Sequence, residues 1–333
     1  MRILFIGGTS FVGRHAAQAA IDAGHDVTVF HRGITGNDLF PEATHLVGDR
    51  DADLSPLGGR DWDATIDVCA YYPRQVRSLA AALDGRGGRH VYISSVSAYA
   101  TTLPCGYDEG AELTEVTDPD AEVWNYQNYG GLKVACERLA VQLHGPEATI
   151  IRPAYVIGPH DHTYRFTWWV NRIARGGRVL APGRADEPIQ VIDARDLGSW
   201  MVSLLERSIS GTFHAVDPAP PFGWGDMLGA IVAEAAPPET ELVWVPSEFL
   251  RAEGLDGIVI PLWGEGDTSS PNKFTANPAA ASAAGLTPRS LAQTIADIQA
   301  EHREPFSGPP GVGIPADREI EILAKWATRS ASQ

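Results

Sequence analysis

Three polar residues have the types and spacing of an acid–base set. Tyr129 and Lys133 are four residues apart, so on a helix they stand on one face, one turn from each other. An ammonium group held there stabilises a tyrosinate anion, and the pair can then give or take a proton near neutral pH. Ser94-Ser95 closes a strand-like run, and a serine hydroxyl from that strand end would polarise the same substrate oxygen. The set predicts proton transfer at a hydroxyl or carbonyl group.

A glycine-rich turn near the first residue is the element around which this set must be built. Arg2 to Ile6 is an apolar run typical of a buried parallel strand, and Gly7 to Gly13 leads from it into a helical pattern. Glycines let the backbone bend tightly and approach a ligand, and the first helical N–H groups favour an anion. The turn therefore predicts a dinucleotide pyrophosphate. An ordinary strand-to-helix turn stays open as the alternative, because Ser10 occupies the middle position of the motif.

Further strand-like runs alternate with helical patterns at regular spacing. The predicted strands after the first are Asp26–His31, His45–Val47, Ala64–Ala70 and His90–Ser95. A helix that begins at Pro73 follows the fourth strand. This alternation predicts an α/β fold with a doubly wound parallel sheet of the Rossmann type, whose ligand lies beyond the carboxyl ends of the strands. Tyr129 and Lys133 follow the fifth predicted strand of this fold, and that position distinguishes them from a chance pair on a helix.

The residues after the second and third strands bear on the choice of cofactor. No acid stands at the end of the second strand, where the sequence reads His31-Arg32. A carboxylate there would accept the ribose hydroxyls of NAD, whereas a basic residue attracts the 2′-phosphate of NADP. The sequence therefore favours NADP over NAD, the alternative being that Arg32 is a solvated loop charge. Asp49, after the third strand, would meet the adenine amino group unless it is a surface acid in a turn.

Composition excludes several classes of function. The chain has 333 residues, 44% hydrophobic and 20% charged, and a net charge of −16. That charge argues against a nucleic-acid partner, which needs clustered Lys and Arg, and favours a small-molecule substrate. No apolar run reaches the length of a membrane span, so we expect a cytoplasmic protein. The three cysteines and the run His160-Asp161-His162 lack the spacing of a metal site, and we expect no metal.

Four motifs in order now resemble a known family. They are Gly-Gly-Thr-Ser-Phe-Val-Gly from Gly7, Ile-Ser-Ser-Val-Ser-Ala-Tyr from Ile93, Tyr-Gly-Gly-Leu-Lys from Tyr129, and Ile-Arg-Pro-Ala-Tyr-Val-Ile-Gly-Pro from Ile151. Together they resemble the extended short-chain dehydrogenase/reductase superfamily and, within it, atypical members of the NAD-dependent epimerase/dehydratase family. The resemblance covers roughly residues 1 to 300.

The resemblance implies a division of roles among the residues. In the family, hydride passes between a nicotinamide and a substrate carbon while a tyrosine moves the proton. Ser95, Tyr129 and Lys133 hold the catalytic positions, and Lys133 also binds the nicotinamide ribose. The predicted cofactor site comprises Gly7, Thr9, Ser10, Phe11, Val12, Gly13, His31, Arg32, Asp49, Cys69, Ala70, Ser94, Tyr129, Lys133, Pro153 and Val156.

The second half of the chain is the predicted substrate side. Residues 1–153 would form the NAD(P)-binding domain and residues 154–304 a smaller α/β lobe, some of whose segments return to the Rossmann sheet. A linker and a last helix would occupy residues 305–333. Predicted substrate contacts are Tyr71, Ser97, Tyr164, Arg165, Trp168, Arg184 and Trp263; for Tyr164, Arg165 and Trp168, packing in the core or on the surface is the alternative. Ile189 stands where nucleotide-sugar enzymes usually carry an arginine, which argues against a nucleotide-sugar substrate unless Arg184 or Arg195 replaces it.

The sequence thus predicts an NAD(P)-dependent oxidoreductase or epimerase-type enzyme. Its substrate would be a small hydroxy or keto compound, such as a sugar, a sugar derivative or a secondary metabolite, and family members often form dimers. The alternative from another class is a catalytically silent dinucleotide-binding sensor or scaffold. An intact Ser95, Tyr129 and Lys133 favour the enzyme, since a scaffold needs none of the three.

Overall fold

Eleven strands and ten helices are found in the part of the chain that the computed structural model describes, residues 1–257, 259–264, 270–301 and 311–331. The strands are β1 (Arg2–Ile6), β2 (Asp26–His31), β3 (Thr44–Val47), β4 (Ala64–Asp67), β5 (Arg89–Ile93), β6 (Thr149–Pro153), β7 (Tyr155–Ile157), β8 (Arg178–Pro182), β9 (Val191–Asp193), β10 (Thr212–Ala215) and β11 (Glu241–Val245). The helices are α1 (Phe11–Asp22), α2 (Pro73–Leu83), α3 (Tyr129–His144), α4 (Arg165–Ala174), α5 (Ala194–Glu206), α6 (Trp224–Ala235), α7 (Ser247–Ala252), α8 (Ala279–Ala283), α9 (Leu291–Glu301) and α10 (Ala316–Ser330). The predicted linker at residues 305–315 lies mostly outside the described ranges.

Seven parallel strands form the main sheet, in the order β10-β6-β5-β4-β1-β2-β3. Its central strands are apolar on both faces because helices cover both sides; in β1, residues Ile3 to Ile6 are all at most 1% exposed. The strand order reverses direction at β1, with β2 on one side and β4 on the other. The carboxyl edge at this switch point is where a doubly wound sheet binds its ligand. The predicted α/β doubly wound sheet is therefore confirmed.

Small residues bring α1 and α5 into close contact on one face of this sheet. Ala16, Ala17 and Ala20 of α1 are completely buried. A Cβ added to Gly198 of α5 would lie 2.7 Å from the backbone nitrogen of Ala16, so only glycine fits at this crossing. The close approach fixes the position of α1, which begins directly after the glycine turn.

The chain divides into two units. The first comprises residues 1–156, 191–219 and 272–288, so it includes two segments from the sequence region assigned to the C-terminal lobe. The second comprises residues 157–190, 220–271 and 289–333, as far as they are described. Its parallel strands β8 and β11 are covered in part by α10. Glu319 of α10 accepts a hydrogen bond from the Leu180 N–H (2.9 Å) and pairs with Arg172 of α4 at 2.5 Å.

Candidate functional site

Tyr129 and Lys133 lie on the first two turns of α3, and backbone contacts fix that end of the helix. Tyr129 is the first helical residue. A Cβ at Gly130 would lie 2.1 Å from the Ser97 carbonyl oxygen, and one at Gly131 would lie 2.8 Å from the Glu115 carbonyl oxygen. Glycines at these two positions therefore let α3 pack against the segment that follows Ser95. The predicted helix that carries Tyr129 and Lys133 is found.

The Lys133 ammonium group is buried and anchored to two strand ends. Its Nζ donates hydrogen bonds to the carbonyl oxygens of Ala70 (2.8 Å), beyond β4, and Ile93 (2.9 Å), the last residue of β5. It also lies 5.0 Å from the centroid of the Tyr71 ring and 5.9 Å from that of the Tyr129 ring. Burial lowers the pKa of Lys133. Two carbonyl dipoles and two ring faces thus stabilise the cation beside Tyr129.

The two serines after β5 have different environments. Ser94 is buried and its hydroxyl donates a short hydrogen bond to Glu137 of α3. Ser95 is half-buried, and its Oγ accepts the Ser97 N–H at 3.1 Å, which caps the short 3-10 turn of residues 96–98. Ser94 therefore belongs to the interior, whereas Ser95 lies at the segment that contacts α3.

A buried ionic network supports this edge and was not expected from the sequence. Arg152, at the end of β6, donates to both oxygens of Glu137 (2.9 and 2.6 Å) and to the Tyr99 hydroxyl (2.6 Å). The Tyr99 hydroxyl in turn lies 2.5 Å from Nε2 of His214 on β10. Burial disfavours the charged form of Arg152. The hydrogen bonds and the negative charge of Glu137 outweigh the effect of burial and raise the pKa of Arg152. Glu137 lies one turn beyond Lys133, which was the only local signal for this network.

An aromatic cluster borders Tyr129 and includes two residues that the sequence analysis missed. The Tyr71 and Trp124 rings are stacked, 6.1 Å apart with 18° between their planes. Trp124 also lies 5.6 Å from Tyr129 and 6.2 Å from Tyr126, measured between ring centroids. Their spacing in the chain, 71 against 124 to 129, hides this contact from a local pattern.

The glycine turn has a backbone conformation and a close packing that depend on glycine. Gly7 has φ +89°, a conformation that favours glycine, and a Cβ at Gly13 would lie 2.1 Å from the Gly7 carbonyl oxygen. The first turn of α1 carries no acidic residue. The residues present therefore fit an anionic group at the N-terminus of α1. Thr9 and Ser10 complete the turn, and Phe11 and Val12 are the first two residues of α1; the contact of these four residues with cofactor stays a prediction.

The residues beyond β2 occupy distinct environments. His31 is buried, and its ring bonds to His45 (2.9 Å) and accepts the Gly33 N–H (3.1 Å). Burial, and then His45, lower the pKa of His31, so the ring is neutral near pH 7. Arg32 is exposed and makes no ion pair within the described part of the chain. Of the two residues predicted to contact the cofactor here, His31 and Arg32, only Arg32 therefore offers a positive charge.

The side chains of Asp49 and Arg50, which follow β3, have different hydrogen-bond partners. Asp49 accepts the Asp51 N–H at 2.9 Å and so shapes its own turn. Arg50 reaches the end of β4, where it donates to both oxygens of the buried Asp67 (2.7 and 3.0 Å) and approaches the Cys69 sulfur at 3.1 Å. Cys69 lies directly under the glycine turn, because a Cβ at Gly7 would meet its sulfur at 2.8 Å. Ala70 is fully buried and offers its carbonyl oxygen to Lys133.

The other predicted positions are divided between the two units. Pro153 and Val156 lie in the first unit, at the end of β6 and in β7. Tyr164, Arg165, Trp168, Arg184 and Trp263 lie in the second unit. Trp168 and Trp263 are buried (7% and 3% exposed), and Arg184 is exposed and pairs with Asp186 at 2.8 Å. Contact with the cofactor stays a prediction for Pro153 and Val156, and contact with substrate stays a prediction for the five residues of the second unit.

Two classes of site are not found among the described residues. No group of three His, Cys, Asp or Glu side chains there is arranged to hold a metal ion. His160 instead lies 2.6 Å from Glu301, and Asp161 accepts hydrogen bonds from Thr163. None of the helices in that part of the chain combines the length and apolar character needed to cross a membrane.

Comparison with known proteins places this geometry in context. The NAD dependent epimerase/dehydratase family matches residues 63–214, a span that contains Ser95, Tyr129 and Lys133 but not the glycine turn. A curated relative is 26% identical over 220 residues, the chloroplast stem-loop binding protein of 41 kDa b of Arabidopsis thaliana. The match covers 61% of this chain and 55% of the relative, so the chain spans little more than half of that relative's length.

Solved structures show the same fold over nearly the whole chain. The UDP-N-acetylglucosamine 4-epimerase of Bacillus cereus has a TM-score of 0.63 and 18% identity, and the match covers 91% of this chain and 100% of that one. The UDP-glucuronic acid 4-epimerase of Bacillus cereus, solved in complex with NAD, has a TM-score of 0.64 and 17% identity, with coverage of 90% and 99%. These structures confirm the fold, and the family model that matches residues 63–214 confirms the predicted resemblance to the family.

Proposed function

We propose that the chain, as a member of the NAD dependent epimerase/dehydratase family, is an enzyme that moves hydride and a proton at a secondary hydroxyl or carbonyl of a small substrate. The observation that carries the proposal is the Lys133 ammonium group, held by two carbonyl oxygens 5.9 Å from the Tyr129 ring. A buried cation next to a phenol favours the tyrosinate form. Tyr129 would then take the proton of a substrate hydroxyl or return it to a carbonyl.

The other residues of the first unit have supporting roles in this proposal. Ser95 would hydrogen-bond the substrate oxygen on which Tyr129 acts. Lys133 uses two of its three N–H groups on Ala70 and Ile93, and the third would bind a ribose hydroxyl. The glycine turn and the first turn of α1 would hold the pyrophosphate of a nicotinamide dinucleotide. When bound, that cofactor supplies the hydride acceptor or donor that no side chain can provide.

The preference for NADP over NAD remains part of the proposal. The exposed Arg32 supports it because an unpaired guanidinium beyond β2 attracts a 2′-phosphate. His31 contributes no charge near pH 7, since its ring is buried and bonded to His45. A cytoplasmic location and a homodimer complete the proposal, and cell fractionation and light scattering test them.

The release of cofactor from the purified protein tests the function. Denaturation followed by mass spectrometry and absorbance shows whether NAD or NADP is carried along. A retained cofactor supports recycling within each turnover, as in an epimerase or lyase, and an empty protein that binds added NADPH supports a reductase. Tyr129→Phe should abolish turnover of any substrate found, with cofactor affinity nearly unchanged. Binding of neither dinucleotide would favour the silent scaffold instead.

A second candidate function follows from the name of the curated relative, which is a stem-loop binding protein. The charge of this chain argues against it, because 42 acidic residues face 26 Lys and Arg residues. Fluorescence anisotropy with a labelled stem-loop oligonucleotide at 0.1 M salt distinguishes the two. We expect no saturation at micromolar protein, and tight, salt-dependent binding would reverse this choice.

A further inference from the structure

Exposed aromatic side chains are concentrated beside Tyr129. Among the described residues, the large hydrophobic side chains with the greatest exposure include Tyr71 (38%), Val123 (75%), Trp124 (42%) and Tyr126 (78%). Tyr71 and Trp124 stack on each other, and we call this pair the aromatic platform. A monomeric protein rarely leaves such a patch uncovered without a binding role.

Hydrogen bonds of the loop that contains Trp124 hold this part of the platform in place. The Trp124 N–H donates to the Tyr72 hydroxyl at 3.2 Å. Asn125 and Asn128 cross-link the loop, through the Asn125 N–H to Asn128 Oδ1 (2.7 Å) and the Asn128 N–H to Asn125 Oδ1 (3.0 Å). The Asn128 side chain also donates to the Val123 carbonyl oxygen at 3.1 Å. A rigid presentation of this kind lowers the entropic cost of binding.

The platform also adjoins the proposed reacting groups. The Lys133 ammonium lies 5.0 Å from the Tyr71 ring centroid, and Tyr129 lies 5.6 Å from Trp124 and 6.3 Å from Tyr71. A molecule seated on the platform would therefore place one of its substituents at Tyr129.

The charge of the surrounding chain limits what that molecule is. From residue 90 to residue 132 the sequence contains no Lys or Arg, and its acids are Asp108, Glu109, Glu112, Glu115, Asp118, Asp120 and Glu122. Asp118, Asp120 and Glu122, just before Trp124, are exposed. The basic Arg74 stacks on Tyr72 and pairs with Asp51 at 3.5 Å. The three exposed acids next to Trp124 outnumber the single Lys133 ammonium beside Tyr71, and Arg74 is paired with Asp51, so a phosphate on the platform would face more negative than positive charge.

We propose that the aromatic platform binds an uncharged, saturated ring that carries hydroxyl groups, a sugar-like ring without phosphate. The negative faces of the Tyr71 and Trp124 rings attract the C–H face of such a ring, while one hydroxyl lies toward Tyr129. The inference rests on the proposed function and names its substrate class. It differs from the diphosphate-bearing sugars that name the two solved relatives.

Saturation-transfer NMR and calorimetry with two probes, methyl α-glucopyranoside and UDP-glucose, test the inference in the presence of NADPH. Wild-type protein should bind the methyl glycoside more tightly than UDP-glucose, and Trp124→Ala should weaken that binding at least tenfold. Val123→Ala is the matched control, since it truncates an exposed apolar side chain of the same loop that is not part of the platform, and it should change binding less than twofold. Equal binding by Trp124→Ala, tighter binding of UDP-glucose, or binding of neither probe would overturn the inference.

Two parallel measurements separate this inference from the proposed function. Tyr129→Phe keeps its ring, so it should still bind the methyl glycoside while losing turnover. NADPH affinity should be the same in wild-type and Trp124→Ala protein. Failure of NADPH to bind would count against the proposed function, whereas a normal NADPH affinity with no dependence on Trp124 would count against the platform alone.

Discussion

Acid should destabilise this protein through one histidine pair. His90 on β5 is 3% exposed and stacks on His144 of α3, with 3.8 Å between ring centroids and 3° between planes. Neither ring nitrogen of His90 has a hydrogen-bond partner among the described residues. Burial and the neighbouring His144 lower the pKa of His90 to about 3. The folded protein therefore keeps this ring neutral over most of the acid range.

The sign and size of the effect follow from proton linkage. In the unfolded chain the pKa of a histidine is about 6.5, so between pH 6.5 and pH 3 the unfolded state binds a proton that the folded state does not. Stability from this group is therefore complete above pH 6.5 and falls as the pH decreases. At pH 5 the solution is about 1.5 pH units below the histidine pKa of the unfolded chain. The free energy of unfolding is therefore lower by about 2 kcal/mol than it is well above pH 6.5.

Urea denaturation at pH 7 and pH 5 measures this loss. The free energy of unfolding of wild-type protein should fall by about 2 kcal/mol or more between the two pH values, since burial also lowers the pKa of His144. His90→Leu removes the titrating ring, so about 2 kcal/mol of that pH dependence should disappear. His162→Gln, which replaces an exposed histidine, is the control and should retain it. An unchanged pH dependence in His90→Leu would refute the reasoning.

Three other substitutions test the cofactor edge and its support. Arg32→Ala should weaken NADPH binding at least tenfold and NADH binding much less, measured by fluorescence titration; equal losses would contradict the NADP preference. Glu137→Gln leaves the Arg152 guanidinium buried beside a neutral amide, so the free energy of unfolding should fall by about 3–5 kcal/mol, whereas the control Arg184→Ala, at an exposed ion pair, should leave it nearly unchanged. Gly13→Ala places a Cβ 2.1 Å from the Gly7 carbonyl oxygen and should weaken dinucleotide binding or folding, read by thermal shift with and without NADPH; a variant that behaves like wild type would contradict the packing of this turn.

Local sequence patterns predicted the elements better than the contacts between them. The alternation of apolar runs with helical patterns was sufficient for the parallel sheet, and the four-residue spacing correctly placed Tyr129 and Lys133 on one helix. The pairing of β8 with β11 was not expected, since neither strand carries a local signal of its partner.

Side-chain partners were harder to predict for the same physical reason. Arg152 of β6 meets Glu137 of α3, and Trp124 meets Tyr71, only because the folded chain brings distant segments together. The pairing of β2 with β3 brings His31 to His45, a contact that the sequence did not predict, while its contact with the cofactor stays a prediction. Such pairs depend on the tertiary fold, which periodicity does not encode.

The buried ion pair between Arg50 and Asp67 restricts which substitutions this edge of the sheet can accept during evolution. Both side chains are nearly excluded from water, at 10% and 1% exposure. Replacement of either residue alone leaves the other as an unpaired buried charge, a change that typically costs about 3–5 kcal/mol of a total stability near 5–15 kcal/mol. A lineage can therefore exchange this pair for an apolar one only by two substitutions close together in time, or after stability has risen elsewhere. Arg50 and Asp67 should consequently be inherited as a unit, even though 16 residues separate them in the chain.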